Sequence, residues 1–214
     1  MNLTSEIALT KDLFVARGSH KECYAHPHDK NLCIKVAYNE PGKKDLEREI
    51  FYLTKVLKDR REKCTFLPYY HGAVETDKGP GHVFDLVTDY DGRVSRDLES
   101  CFVYRKEIEK AHCVLKSGLL QLRENMLQYL LIPMDLYPFN ILCKRESEDK
   151  CVFMLINDIG SSSLIPLEYC LDTVAAAKVK RLWNRFIISM TDKYKDDTLI
   201  KGLFAGLEFA DSRS

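Results

Sequence analysis

The sequence predicts an α+β protein with two lobes: a small antiparallel-sheet lobe that carries one helix, followed by a shortened and mainly helical lobe. Two observations support this class. Residues 1–88 contain five short strand patterns with one helix pattern inserted, and residues 93–214 contain two long helix patterns around one hairpin. Strands and helices do not alternate in βαβ order, which argues against a doubly wound parallel sheet. We therefore expect an N-terminal lobe at 1–88, a hinge at 89–92 and a C-terminal lobe at 93–214.

Turn residues separate the strands of the first lobe. Gly18 and Ser19 join the first two strands, Pro41 ends the third, and a polar turn at 77–81 separates the last two. The five predicted strands cover residues 13–16, 22–26, 32–38, 70–75 and 82–88.

Helix periodicity predicts three longer elements. The first is a helix at 45–58, whose apolar residues recur at spacings of four, three and four: Leu46, Ile50, Leu53 and Leu57. The second is a helix at 104–131, which stops before Pro133. The third is a helix at 173–190. Two short strands are predicted between the second and third helices, at 140–144 and 152–156.

Composition and charge exclude several kinds of partner. The 214 residues include 32 Lys plus Arg and 32 Asp plus Glu, so the net charge is zero and broad electrostatic binding to nucleic acid is not expected. No apolar run approaches the roughly 20 residues that span a bilayer, and no export signal is visible, so we expect a cytoplasmic protein.

None of the eight cysteines forms a CxxC pair, which favours reduced thiols over a zinc site.

The most specific motif runs from Asp135 to Leu142 and reads Asp-Leu-Tyr-Pro-Phe-Asn-Ile-Leu. It follows the long helix and leads into a strand. The motif resembles the catalytic loop of protein kinases, in which an Asp-Leu pair precedes an Asn and an apolar strand. In kinases that Asp accepts the proton of the substrate hydroxyl and the Asn binds Mg²⁺. The resemblance therefore implies a catalytic Asp135 and a metal-binding Asn140.

A second acidic motif, Asp158-Ile159-Gly160, ends an apolar strand eighteen residues after Asn140. It resembles the Asp-Phe-Gly segment of kinases, whose Asp binds Mg²⁺. Asp158 is thus a second predicted metal ligand. Asn157 beside it is either a further polar ligand or a turn residue, and the sequence leaves both interpretations open.

Lys35 lies on a predicted buried strand between branched apolar residues, where an ammonium group is costly without an anionic partner. The strand resembles the kinase strand whose Lys holds nucleotide phosphates and pairs with a helix Glu. Glu49 precedes Leu53 by four residues, as in the kinase pattern, and is the preferred partner. Glu47 is the alternative. It lies about 200° round the helix from Glu49, so only one of the two can face Lys35.

The first hairpin resembles the glycine-rich loop of kinases. Gly18 and Ser19 correspond to its central residues and are predicted to contact the nucleotide. Of the three usual glycines only Gly18 is present, because Arg17 and Lys21 take the other two places. These basic side chains either compensate for the missing glycines or are ordinary hairpin residues.

Residues 84–92 resemble the fifth strand and the hinge of kinases. By that match, the backbone of Asp89 and Asp91 receives the adenine ring, and Thr88 takes the gatekeeper place. The five kinase-like features occur in kinase order. The resemblance therefore implies a bilobal protein-kinase-like fold with ATP and Mg²⁺ as cofactors.

Four segments point to a narrower group, and they cover residues 21–27, 33–35, 70–77 and 159–167. They resemble the YrbL family, small bacterial proteins named for the PhoP regulatory network, over about residues 13–190. The family name implies a place in a bacterial envelope-stress or Mg²⁺-response regulon. It states no reaction.

The chain departs from active protein kinases at three points. Pro133 and Met134 replace the catalytic-loop His and Arg, and Tyr137 replaces the Lys that stabilises the moving phosphoryl group. The segment after Asp158 is too short for a peptide-binding platform. Two functions follow from these features: an ATP- and Mg²⁺-dependent phosphotransferase acting on a small-molecule or protein hydroxyl, or a pseudokinase that regulates by binding nucleotide or protein.

Overall fold

A five-stranded antiparallel sheet forms the first part of the protein. The structure, a computed structural model, describes residues 6–58, 60–163 and 165–210. The strands are β1 (Phe14–Arg17), β2 (Lys21–His26), β3 (Asp29–Ala37), β4 (Tyr70–Thr76) and β5 (Gly79–Asp85), in the spatial order β1-β2-β3-β5-β4. The turn predicted at 77–81 is shorter, because Thr76 pairs directly with Gly79 and the positive φ of Gly79 (100°) permits a two-residue connection.

One long helix, α1 (Glu40–Phe51), is inserted between β3 and β4 and continues as a π-helical turn at Tyr52–Val56. It begins five residues earlier than predicted. The side chain of Asn39 caps it by accepting a hydrogen bond from the Gly42 amide at 2.9 Å. Pro41 is tolerated in the first turn, where its missing N–H has no helical partner to lose. Because β3 already ends at Ala37, Pro41 belongs to the helix, and the prediction that it ends the strand is wrong.

The second part is mainly helical and surrounds a small sheet. Its helices are α2 (Leu98–Cys101), α3 (Arg105–Gln128), α4 (Asp172–Lys193) and α5 (Thr198–Phe204), and its strands are β6 (Arg96–Asp97), β7 (Ile141–Arg145) and β8 (Cys151–Leu155). The sheet order is β6-β7-β8, and all pairs are antiparallel. The α+β class predicted from sequence is confirmed. The predicted elements omit β6, α2 and α5, which are too short to show a clear periodicity.

Two hydrophobic clusters lie on opposite faces of the five-stranded sheet. The smaller cluster contains Ile34 and Val36 of β3 with Leu9. The larger cluster begins with Cys33 on the other face of β3 and continues through α1, α3, α4 and β8 as far as Leu207. One continuous core therefore joins the sheet to the helical part.

The junction between the two parts is fixed by a buried tyrosine. Tyr52 follows α1 directly, and its hydroxyl donates to the carbonyl of Leu130 at 3.1 Å and accepts from the amide of Ile132 at 3.0 Å. Leu130 has a φ of 51°, a left-handed conformation of the kind that commonly ends a helix, and it follows the end of α3 (Arg105–Gln128). Burial raises the pKa of Tyr52 and keeps the hydroxyl protonated. The end of α1 is thus bonded to the segment that leads to Asp135.

The predicted hinge at 89–92 is a tight turn. The amide of Gly92 donates to the carbonyl of Asp89 at 2.9 Å, and Gly92 has a φ of 81°. The outer limits of the two predicted lobes, residues 1–5 and 211–214, lie outside the described part of the chain.

Two glycines provide a matched test of this packing. A Cβ atom on Gly42 would lie 2.3 Å from the carbonyl oxygen of His20, whereas one on Gly18 would meet only the Lys21 carbonyl at 3.8 Å. We expect Gly42→Ala to lower the free energy of unfolding by about 1–3 kcal/mol, because backbone must move. Gly18→Ala is expected to change it by less than about 0.5 kcal/mol. Urea unfolding measures both, and equal effects would contradict this account of the α1 N-terminus.

Candidate functional site

Lys35 is the centre of the polar residues between the two parts. It lies on β3 and is only 7% exposed. Its ammonium nitrogen is 3.2 Å from Glu49 Oε1 and lies 4.3 Å from the centroid of the Phe84 ring. A buried ammonium needs such partners, because its desolvation is otherwise too costly.

The structure pairs Lys35 with Glu49 and not with Glu47. Glu49 is 1% exposed on the buried face of α1, whereas Glu47 is exposed to solvent. This arrangement agrees with the helical offset between the two residues. Of the two alternatives that the sequence left open, Glu49 is the one placed to pair with Lys35.

A chain of hydrogen bonds leads from Lys35 to Asp158. The Lys35 ammonium donates to the carbonyl of Ile156 and to Asn157 Oδ1, the latter at 3.1 Å. Asn157 Nδ2 donates to Asn140 Oδ1 at 3.3 Å, and Asn140 Nδ2 donates to Asp158 Oδ2 at 2.7 Å. We call the five residues joined in this way the polar row: Glu49, Lys35, Asn157, Asn140 and Asp158. Asn157 is therefore a link in the row and more than a turn residue.

Backbone bonds fix the end of the row that carries Asp158. Its φ of 56° is unusual for a non-glycine residue, and its carbonyl accepts from the amide of Met134 at 2.7 Å. The Gly160 amide donates to the Ile132 carbonyl at 2.8 Å. These bonds hold the segment before Asp135 against the segment around Asp158, so the two predicted acidic residues belong to one loop assembly.

Asp135 lies beside the row, held by other partners. Its Oδ1 accepts from the amide of Leu136 at 2.8 Å and from Arg185 at 2.8 Å. The negative charge of Asp135 and a hydrogen bond to it raise the pKa of Tyr137. Sequence reasoning missed Arg185, because it lies on α4, fifty residues from Asp135, and no local motif marks it.

The hairpin that carries Gly18 and Ser19 is exposed. The Gly18 amide already donates to the Lys21 carbonyl at 2.9 Å, and the Gly18 carbonyl accepts from the Tyr38 hydroxyl at 2.8 Å. Arg17 points outward and pairs with Glu22. The nucleotide contacts of Gly18 and Ser19 stay predictions.

Lys21, at the end of the same hairpin, points inward. Only 12% of its side chain is exposed, and its ammonium nitrogen is 3.5 Å from Glu49 Oε2. Glu49 therefore lies between two lysines, Lys21 and Lys35, with a different carboxylate oxygen toward each.

Asp89 and Asp91, whose backbone is predicted to contact the adenine ring, lie in a closed turn, and the Asp91 contact stays a prediction. The Asp89 amide donates to the Arg93 carbonyl at 2.8 Å, so it is not free to bind a base. The Asp89 carboxylate accepts from Ser95 and Arg145. Hydrogen bonds from Arg93 are the main cause that lowers the pKa of Asp91 to about 2. Both aspartates thus fasten the turn to neighbouring residues.

The segment after Asp158 is anchored to α4 by a buried acid. Glu168 accepts hydrogen bonds from Ser161 and from Lys178. Burial alone would raise the pKa of Glu168, but the bonds from Lys178 and Ser161 outweigh it and lower the pKa to about 2. The Tyr169 hydroxyl also accepts from the Ser161 amide. These contacts hold residues 161–163 and, through them, the position of Asp158.

Two cavities lie elsewhere on the protein. One of about 290 Å³ is lined by Leu9, Phe14 and Tyr24, and one of about 440 Å³ lies against α4 and is lined by Arg181 and Arg185. Residues of the polar row line neither of them.

The described residues contain neither a metal-binding cluster nor a membrane-spanning helix. Within 6–58, 60–163 and 165–210, no group of three or more His, Cys, Asp or Glu residues is arranged to hold a metal ion. In the same ranges, no helix has the length and apolar character needed to span a membrane.

The fold and the row define an α+β protein whose buried polar centre joins an antiparallel sheet to a helical part. Residues 7–191 match the family described as PhoP regulatory network protein YrbL, and the chain belongs to that family. A relative from Escherichia coli (strain K12), named "Uncharacterized protein YrbL", is 37% identical over 183 residues, which cover 85% of this chain and 86% of the relative. A protein of the same name from Shigella flexneri shows the same values. The predicted family is confirmed.

The anchor at Glu168 gives a pH-dependent prediction. Because its pKa is about 2 in the folded state and 4.5 ordinarily, its stabilisation is present above pH 4.5 and is lost as the pH falls from 4.5 towards 2. We expect Glu168→Gln to lower the free energy of unfolding at pH 7 by up to about 3 kcal/mol, and by much less near pH 2. Urea unfolding across this pH range measures the difference. The exposed Glu148→Gln is the control, and a loss at pH 7 that does not shrink in acid would contradict the assignment.

Proposed function

We propose that this chain has a protein-kinase-like fold and acts as an ATP- and Mg²⁺-dependent phosphotransferase on the hydroxyl group of a small molecule or protein. The observation that carries the proposal is the polar row, which connects Lys35 and Glu49 to Asn140 and Asp158 through Asn157. Four of these five residues are those that the kinase resemblance implies for phosphate and metal binding. The same proposal places the protein in the cytoplasm, where ATP is available, and in a bacterial stress or Mg²⁺-response regulon.

The sheet supports the fold part of the proposal. Five antiparallel strands carry one helix between β3 and β4, and the helix presents a glutamate to the lysine of β3. A lysine-glutamate ion pair of this kind positions the lysine for nucleotide phosphates in protein kinases. The likeness is one of element order and side-chain placement.

Asn140 and Asp158 are the residues proposed to hold a magnesium ion. Mg²⁺ prefers oxygen ligands, and protein sites often supply one or two of them while the nucleotide phosphates and water complete the shell. The Asp158 carboxylate supplies such oxygens, but the Asn140 amide turns its nitrogen to Asp158 and its oxygen to Asn157, so the Asn140 amide would have to rotate to join in binding the ion. A bound Mg²⁺ would neutralise charge on the phosphates. The residues of the chain then have the task of binding and orienting the nucleotide.

Asp135 is proposed to orient the acceptor hydroxyl and take up its proton. The Asp135 carboxylate is one-third exposed, as a group that meets an incoming substrate requires. Arg185 lies 2.8 Å from it and places a positive charge beside the catalytic loop, where Tyr137 stands in the place of the usual lysine. We propose that Arg185 positions Asp135.

The alternative is a nucleotide-binding regulator without phosphoryl transfer. The observation that favours it is the ion pair between Asp135 and Arg185, which occupies the carboxylate proposed as the base. The Gly18 amide is bonded within the hairpin, and this counts against a phosphate contact there in both functions. In this reading the row binds a nucleotide as a structural ligand, and the family role is carried by a protein partner.

Nucleotide binding is tested first, by thermal unfolding with ATP in the presence and absence of Mg²⁺. At a ligand concentration 100-fold above Kd, binding stabilises by about 2.7 kcal/mol and raises Tm by several degrees. We expect this rise with ATP plus Mg²⁺ in the wild type and its loss in Lys35→Met and Asp158→Asn. The exposed Lys44→Met on α1 is the matched control and should keep it. No rise in the wild type would overturn both nucleotide-binding readings.

Turnover separates the two functions. Single-turnover conversion of ATP is followed in the wild type and in Asp135→Asn, with Mg²⁺ and with Mn²⁺. The phosphotransferase proposal predicts a rate that falls by about 100-fold or more in Asp135→Asn, since a positioned general base contributes at least that much. Binding without turnover under both metals would favour the regulator.

A further inference from the structure

Lys21 and Lys35 project from the same face of the sheet. In the antiparallel register, Lys35 lies opposite Cys23 of β2, and Lys21 lies two residues before Cys23 on the same strand. Residues two apart on a strand share a face. Both ammonium groups therefore reach the buried side of α1, where Glu49 lies between them at 3.5 Å and 3.2 Å.

The two lysines differ in how their hydrogen-bond donors are used. An ammonium group has three N–H donors. Those of Lys35 are all committed, to Glu49, to the Ile156 carbonyl and to Asn157. The Lys21 nitrogen is buried, and its distance to Glu49 gives an ion pair without hydrogen-bond geometry. Among the described residues it has no hydrogen-bond partner, and neither does Glu49 Oε2, the acceptor 3.5 Å away. Even a bond between these two atoms would leave two of the Lys21 donors without an acceptor.

The charges of this cluster do not balance. Two ammonium groups share the one carboxylate of Glu49, which leaves a positive excess in a buried place. A buried ammonium without hydrogen bonds is destabilising, so its retention calls for an anion that supplies the missing acceptors. A phosphate group has both the charge and the acceptor oxygens that the three Lys21 donors require.

The other basic residue of the hairpin does not meet these conditions. The side chain of Arg17 is 59% exposed and pairs with Glu22 on the surface. The sequence offered Arg17 and Lys21 equally as substitutes for the missing glycines, and the structure separates them. Only Lys21 has its charge directed toward the row.

We propose that Lys21 is the main phosphate-binding residue of this protein, and that it takes the phosphate oxygens of a nucleoside di- or triphosphate in place of the glycine-rich loop. Lys35 then acts as a positioning residue that holds Glu49 and Asn157. The inference rests on the proposed nucleotide binding and deepens it by assigning the phosphates to a different lysine.

The test measures binding of a fluorescent ATP analogue with Mg²⁺, with inorganic tripolyphosphate and adenosine as separate competitors. We expect Lys21→Met to weaken the ATP analogue and tripolyphosphate by about 10- to 100-fold. Adenosine should compete within about twofold of its wild-type strength. Lys21→Arg, which keeps the charge, should restore part of the phosphate affinity, and Lys44→Met is the control. The unliganded Tm of each variant is measured as well, because Lys21→Met removes one partner of the buried Lys21–Glu49 ion pair.

The outcomes are distinguishable. If the wild type binds the ATP analogue and Lys21→Met binds it equally well, this inference is overturned while the proposed function stands. An equal loss of adenosine and tripolyphosphate affinity would show a general structural effect and would also overturn it. If the wild type binds neither nucleotide nor tripolyphosphate, the proposed function fails and this inference fails with it.

Discussion

The buried ammonium group of Lys35 is the constraint on which the rest of the structure depends. It is held on the sheet, pairs with Glu49 of α1 and bonds to Ile156 and Asn157 after β8. Each bond satisfies an N–H donor of the ammonium group, and a buried donor without an acceptor would destabilise the folded state. The relative positions of sheet, helix and loop are therefore coupled. The Tyr52 hydroxyl adds a second tie, from the end of α1 to the segment that leads to Asp135.

The bonds of Lys35 also connect the sheet to the two residues proposed to bind metal. Asn140 and Asp158 belong to the same hydrogen-bonded row as Lys35, whereas the amide of Gly18 in the exposed hairpin is occupied within that hairpin. Lys21 brings a charge from that hairpin into the buried region instead. The positive charge beside Asp135 comes from Arg185 on α4, whereas the nearby residue 137 is a tyrosine. Under the proposed function, these side chains would take over tasks that backbone groups and local motif residues perform in kinases.

Much of this arrangement was predictable because it depends on local patterns. The strand that buries Lys35 and the helical spacing that turns Glu49 inward are both encoded within a few residues. The early start of α1 was missed because Pro41 was interpreted as the end of the strand, whereas it lies in the first turn of the helix. The ion pairs Lys21–Glu49 and Arg185–Asp135 join segments that are distant in the sequence, so no local motif indicates them. The Asp89 amide bonds to the Arg93 carbonyl across the turn, and no motif in the sequence indicates that contact.

A crystal structure with a non-hydrolysable ATP analogue and Mg²⁺ tests most directly whether the region around Lys21, Lys35 and Asp158 binds a nucleotide. We expect the phosphate oxygens to lie within hydrogen-bonding distance of Lys21, and the metal ion to be bound by Asn140 and Asp158. It also predicts that the Lys35–Glu49 pair, 3.2 Å apart, is retained. An analogue bound away from the polar row, or absent at saturating concentration, would contradict the account.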